Sequence, residues 1–250
     1  MLAPMKRAAA MRRLKQLGSE QTLKTYSRHG VDGPAFGVRY ADLYALQKEI
    51  GVDHALALEL FETGNHDARI LATLIADPEA FTVKQLDAWQ KACTNHVLNG
   101  AVATVAGQTP LAPRLATKWR KVKAEYRSAA GWHIVGSLSA PDTLADDAWL
   151  RPCLAEIRDG IASAPNRTRS AMNSALISIG GYREALRAEA LKVAAAIGKV
   201  DVDHGNTSCK TPDAVAYIEK MAVRHSRKAA KKKTAAKKKT SAKKKTSKKR

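Results

Sequence analysis

Between Phe36 and Pro78 the chain is punctuated so closely that only short helices fit between the breaks. Asn65 stands where an N-cap belongs and Asp67 follows in the first turn, where a carboxylate meets free N–H groups. Ile70, Leu71, Leu74 and Ile75 then recur at helical spacing and form one apolar stripe. Pro78 ends that helix, because it lacks an N–H and drives Asp77 out of the α region. The helix before it is bracketed likewise. Asp53 caps it, Leu56, Leu60 and Phe61 supply its stripe, and Gly64 takes the left-handed position past its end. Two short antiparallel helices bury too little surface to stand alone. They require further helices stacked on them, which is the logic of a helical-repeat chain.

The remaining sequence repeats this helix–break–helix unit, roughly every 30–45 residues. Residues 1–28 read as two helices parted by Gly18 and Ser19, with Ser19 capping the second, and 30–37 reads as a loop. Thr82 caps a helix running through Trp89 and Cys93, and a second, apolar helix spans Asn95–Gly107. Leu111–Val122 is helical and basic, and Glu125–Leu138 carries Trp132 on its apolar side. Asp142–Ser163 holds one or two helices around Trp149. A buried helix starts at Asn166, with Met172, Ala175, Leu176 and Ile179 as its stripe, and Gly180-Gly181 turns the chain into the next. After a loop, Thr211 caps a last helix with Pro212 at its first position. No break-bounded run of β-branched residues has strand length. The class these patterns predict is all-α, a right-handed superhelix of stacked antiparallel helix pairs, an α-solenoid of HEAT-like repeats over 1–223.

Composition agrees with close helix packing. Aromatics make up 5% of the chain, so Ala and Leu carry the apolar load. No apolar run approaches the roughly 18–20 residues of a membrane span, and the basic N-terminus has no apolar core of the secretory kind. Cys93, Cys153 and Cys209 are far apart and form no metal-ligand pair, so they read as free thiols in a reducing compartment.

The formal net charge of +20 is uneven. Fifteen of the 43 Lys and Arg, and none of the 23 Asp and Glu, lie from Arg224 onward, leaving the first 223 residues at +5. The Lys triplets 231–233, 237–239 and 243–245 stand in a low-complexity repeat with no apolar side chains to bury. Residues 224–250 are therefore expected to be disordered when free, and to bind polyanions by counterion release, blind to sequence.

Three segments carry a family resemblance. FGVRYADL followed by LFETGNHDARILATLIADP, then AMNSALISIGGYREALRAEALKVAAAIGKVDVDHG, then TSCKTPDAVAYIEK, together resemble the DNA alkylation repair proteins of the AlkD type over about residues 30–222. That resemblance implies HEAT-like repeats and a glycosylase that excises alkylated purines such as 3-methyladenine and 7-methylguanine. It also implies a carboxylate beside the sugar, a neighbouring arginine and two tryptophans. The matching positions here are Asn99 for the carboxylate, Asn95 and Ser174 for the tryptophans, and Ala129 for the arginine. A neutral amide does not supply the negative charge that an oxocarbenium-like transition state needs. Losing it in a dry cleft removes orders of magnitude in rate.

The leading expectation is thus a DNA-binding protein of this family that has lost the usual chemistry. It would hold duplex DNA, alkylated or not, in a basic concave groove. The candidate contacts are Arg39, Arg114, Lys118, Trp119, Arg120, Lys121, Arg127, Arg167, Arg169 and Lys210, with Lys231, Lys232, Lys233, Lys237, Lys238, Lys239, Lys243, Lys244 and Lys245 in the tail. Trp119 among Lys118, Arg120 and Lys121 has the pattern of stacking plus phosphate contact. His96 and Asn99 share one helix and can line a small pocket. The loop with Asp201, Asp203, His204, Cys209 and Asp213 fits no zinc spacing and reads as a structured cap for the last helix. No metal or cofactor is expected, and a monomer in the cytoplasm, at the nucleoid, fits these readings. Two alternatives remain: an active alkylpurine glycosylase, and a scaffold for RNA or protein.

Overall fold

The computed structural model describes residues 5–224 and is all-helical over them. The helices are α1 (Arg7–Leu17), α2 (Glu20–Arg28), α3 (Tyr40–Ile50), α4 (His54–Glu62), α5 (His66–Ile75), α6 (Val83–Lys91), α7 (His96–Gly107), α8 (Ala112–Arg120), α9 (Glu125–Leu138), α10 (Asp147–Gly160), α11 (Asn166–Tyr182) and α12 (Glu184–Ile197). A last helix, α13, occupies 214–224. Among the described residues no helix is long and apolar enough to cross a membrane.

Side-chain caps set the starts of the N-terminal half. Ser19, Asp53, Asn65 and Asn95 accept N–H groups from Thr22, Leu56, Ala68 and Leu98, and Thr82 and Gln85 close a capping box. Gly64, at φ +74°, ends α4 as its spacing predicts.

The helices stack as antiparallel pairs, forming a HEAT-like superhelix. In α4–α5, α6–α7, α8–α9 and α11–α12 each helix packs on its sequence neighbour. The second helices of successive pairs, α5, α7, α9 and α11, also pack side by side in one continuous inner row. One apolar core threads all the pairs, and it is built mainly of Ala, Leu, Ile and Val. Close approach depends on small residues. A methyl added at Gly131 of α9 would lie 2.2 Å from the Arg120 nitrogen at the end of α8, so only glycine fits there.

Two local expectations need correction. Gly180-Gly181 does not turn the chain, since α11 runs on to Tyr182. A Cβ at Gly180 would meet Ile218 at 2.8 Å, and one at Gly181 would meet Met221 at 2.6 Å, so these glycines let α13 lie against α11. Thr211 does not cap α13. It holds His204 at 3.0 Å, and Asp213 accepts the Ala216 N–H at 2.8 Å instead.

Candidate nucleic-acid interface

The residues that carry the family resemblance build the scaffold. The buried Asp67 carboxylate accepts N–H groups from Phe36 (2.6 Å), Gly37 (3.1 Å) and Val38 (2.9 Å). The Tyr26 hydroxyl lies 2.9 Å from the same carboxylate and 2.6 Å from the Val38 carbonyl. Asp67 therefore folds the loop before α3 onto α5. Arg69 donates to the carbonyls of Phe61 (3.1 Å) and Ala92 (3.3 Å) and lies over the Phe61 ring, joining α5 to the ends of α4 and α6.

The positions matching the family's site lie along the inner row. Asn95 is buried and caps α7. Asn99 is buried one turn on, with its side-chain oxygen 3.5 Å from the Gln90 amide of α6, so it faces the outer layer. Ala129 is buried. Ser174 is exposed, and its hydroxyl donates to the Ser170 carbonyl at 3.1 Å. The structure does not bring these four into one open pocket.

The inner row carries two carboxylates, Asp67 on α5 and Glu125 on α9, and none on α7 or α11. Both are occupied by backbone N–H groups, Asp67 as described and Glu125 by Arg167 at 2.6 Å.

Imidazoles and one arginine gather where α7 and α11 begin. The rings of His29 and His96 have centroids 5.9 Å apart. Burial pushes His96 down to about 4, and the positive charge of Arg167 adds to it. Burial also lowers His133. Both rings are thus neutral hydrogen-bonding groups at pH 7, next to the fixed charge of Arg167. His204 arrives on the loop after α12, which Asn166 grips through the Asp203 backbone at 2.8 Å and Arg169 through the Asp201 carbonyl at 3.0 Å. That loop is therefore structured, and among the described residues no three His, Cys, Asp or Glu side chains are placed to hold a metal. Periodicity singles out His96. His29, His133 and His204 join it only through tertiary folding and leave no spacing signal.

Several cations expected at DNA have partners inside the protein. Trp119 is fully buried, and its indole N–H donates to Asp87 at 2.7 Å, so it is not a stacking platform. Lys118 and Arg127 bond the same carboxylate. Burial alone would raise the Asp87 carboxyl, but the hydrogen bonds from Lys118 and Trp119 and the Arg127 charge outweigh it and hold it below the usual range. Arg120 pairs with Glu156 at 2.9 Å and lies between the Trp132 and Trp149 rings. Arg169 is spent on backbone carbonyls of Ala164 and Asp201, and the exposed Arg39 pairs with Asp42. Among the described residues, the side chains of Arg114, Lys121, Arg167 and Lys210 make neither ion pair nor hydrogen bond, and the tail lysines from 231 on lie outside those residues.

With this geometry in hand, the comparisons define the class. The family model for DNA alkylation repair enzymes matches residues 10–218, and the chain belongs to that family. Two uncharacterized proteins, one of Listeria innocua serovar 6a and one of Listeria monocytogenes serovar 1/2a, are each 30% identical to it over 221 residues, which is 84% of this chain and 95% of theirs. A solved structure described as "A new family of proteins related to the HEAT-like repeat DNA glycosylases with affinity for branched DNA structures" is 30% identical with a TM-score of 0.81. That match covers 88% of this chain and 95% of the other.

Proposed function

We propose that this protein binds branched or distorted DNA along its inner row of helices and performs no glycosylase chemistry. One observation carries the second half of the reading. Among the described residues the inner row carries only the carboxylates Asp67, buried under three backbone N–H groups, and Glu125, which accepts the Arg167 N–H, and the position matched to the family's carboxylate is the neutral Asn99. The first half draws on the structural relative's described affinity for branched DNA and on the cationic surface of this chain. Arg167 with neighbouring imidazoles offers phosphate contacts on the inner row, and the Lys-rich 224–250 adds non-specific attraction to the backbone.

The test uses the full chain, a four-way junction and a duplex of the same sequence, read by fluorescence anisotropy at two salt concentrations. The junction is expected to bind more tightly, with salt-dependent affinity for both. No binding to either at about 50 mM salt overturns the proposal. In parallel, methylated DNA is assayed for released 7-methylguanine and 3-methyladenine. Release above the uncatalysed rate makes the protein an enzyme and defeats the non-catalytic reading.

A further inference from the structure

A cavity of about 310 Å³ opens between α3, α5 and α7. Tyr40, Tyr44 and Gln47 line it from one face of α3, Thr73 from α5, Thr104 from α7 and Gln108 from the α7 C-cap. Among the described residues no charged side chain lines it, so those residues are not built for a phosphate or a carboxylate. Its wall is aromatic and open to solvent. Tyr40 is 41% and Tyr44 48% exposed, unusual for large apolar side chains in this molecule, and their rings lie 6.1 Å apart at 46°. An exposed tyrosine pair that no other described residue covers presents π-faces to a flat partner.

The rim has hydrogen-bonding capacity left over. Gln47 donates to the Leu74 carbonyl at 3.1 Å and keeps its side-chain oxygen as an acceptor. Thr73 and Thr104 donate to Ile70 and Gly100 of their own helices and keep their lone pairs. Among the described residues the Gln108 amide and both tyrosine hydroxyls have no hydrogen-bond partner. Such mixed donors and acceptors around an aromatic wall match the edge and face of a heterocyclic base. The volume is at the lower end for ligand sites, which suits one small planar group.

Placement connects the cavity to the proposed interface. His96, Gly100 and Thr104 on α7, and Gln108 at its C-cap, follow one another at four-residue spacing, and none of them is buried. From His96 to Thr104 the helix rises about 12 Å. A strand whose phosphate lies beside Arg167 and His96 therefore passes within reach of the tyrosines.

We infer that this cavity holds a single unpaired nucleobase, stacked on Tyr44 and Tyr40 and met at its edge by Gln108. The inference rests on the reading of the inner row as a DNA interface and adds to it the part of a branch that would be recognised, a base freed from pairing. A base in a continuous duplex does not reach the site, because it is stacked between its neighbours.

The test compares three probes with the full chain: a junction with one unpaired thymine at the branch, the same junction with an abasic residue there, and a fully paired four-way junction. The thymine probe is expected to bind about tenfold more tightly than the abasic one, within the range that stacking of one base supplies. Tyr44→Ala is expected to erase that tenfold difference and leave the fully paired junction unchanged, while Tyr44→Phe keeps it. Tyr44 is half exposed, and circular dichroism of both variants checks that they fold. Equal affinity of the parent for thymine and abasic probes overturns the base site while leaving DNA binding intact. A thymine preference that survives Tyr44→Ala does the same. Failure to bind any of the three probes overturns the DNA reading together with this one. Saturable binding of a peptide in the cavity, displaced by no probe, assigns it to a protein partner and likewise refutes the proposal.

Discussion

The Asp67 carboxylate and the Gly37 N–H, thirty residues apart, meet at 3.1 Å. Asp67 also gathers the N–H groups of Phe36 and Val38, so three consecutive backbone donors of a loop close on one buried anion. Charge-assisted bonds of this kind are stronger than neutral ones, and leaving buried donors unpaired costs about 1–3 kcal/mol each. Asp67→Ala is expected to lower unfolding stability by about 3 kcal/mol or more, and Asp67→Asn by less, because an oxygen acceptor remains. Urea unfolding measures both, with an unchanged slope showing that the fold is retained. Loss below about 1 kcal/mol for Asp67→Ala would mean that water replaces the carboxylate.

Gly37 provides a second route to the same loop. Its φ of +79° is unfavourable for any side chain, and a Cβ there would stand 2.4 Å from the Ser19 carbonyl oxygen. Gly37→Ala is expected to destabilise by about 1–3 kcal/mol in the same assay. A neutral outcome would show that the α2–α3 loop shifts freely and does not fix α5.

The helix order was readable because caps and breaks are local. Asn65, Asp53, Thr82 and Gly64 act within a few residues of where they stand, and the structure uses each as its position implies. Gly180-Gly181 misled because the same residue type serves two purposes, a turn and a close helix contact, and only the presence of Ile218 and Met221 decides between them. The candidate interface was less legible still. A basic residue reads the same whether it faces solvent or a carboxylate, so Lys118 and Trp119 of α8 and Arg127 of α9 converging on Asp87 of α6 left no pattern in the sequence.

Restoring the missing carboxylate at Asn99 is not expected to restore chemistry. Asn99 is 2% exposed and faces Gln90, away from the open side of the inner row. An aspartate there is buried without a cation, which raises its pKa and costs stability. Asn99→Asp should therefore release no 7-methylguanine from methylated DNA and should unfold at lower urea than the parent. Base release by this variant would show that the inner row rearranges around DNA and exposes the position.

The His96 imidazole supplies a pH signature. Its folded pKa of about 4 lies below the ordinary 6.5, so between these values the unfolded chain binds a proton that the folded chain does not. The contribution of His96 to stability is thus complete above pH 6.5 and is lost as pH falls toward 4. His66 and His133, lowered mainly by burial, act in the same direction, so the parent-minus-variant difference isolates His96. His96→Gln is expected to flatten the fall in unfolding midpoint over that interval. Parallel pH profiles for parent and variant would mean that the imidazole is as solvated in the fold as in the unfolded chain.

Two cations of opposite standing test the interface itself. Arg167 makes no ion pair and adds positive potential at His96, whereas Lys118 bonds Asp87. A charge that neutralises a phosphate on binding releases a counterion, and its removal shallows the dependence of log affinity on log salt by about one unit. Arg167→Ala is expected to weaken junction binding and to shallow that slope. Lys118→Ala should change neither, because Asp87 keeps the Trp119 indole and Arg127 as partners and the local charge stays compensated. Since the Lys-rich 224–250 contributes its own salt dependence, the comparison is made within the full chain, where that contribution is common to all three proteins. If Lys118→Ala shallows the slope and Arg167→Ala does not, DNA lies against the outer layer at α6 and α8, and the inner row is not the interface.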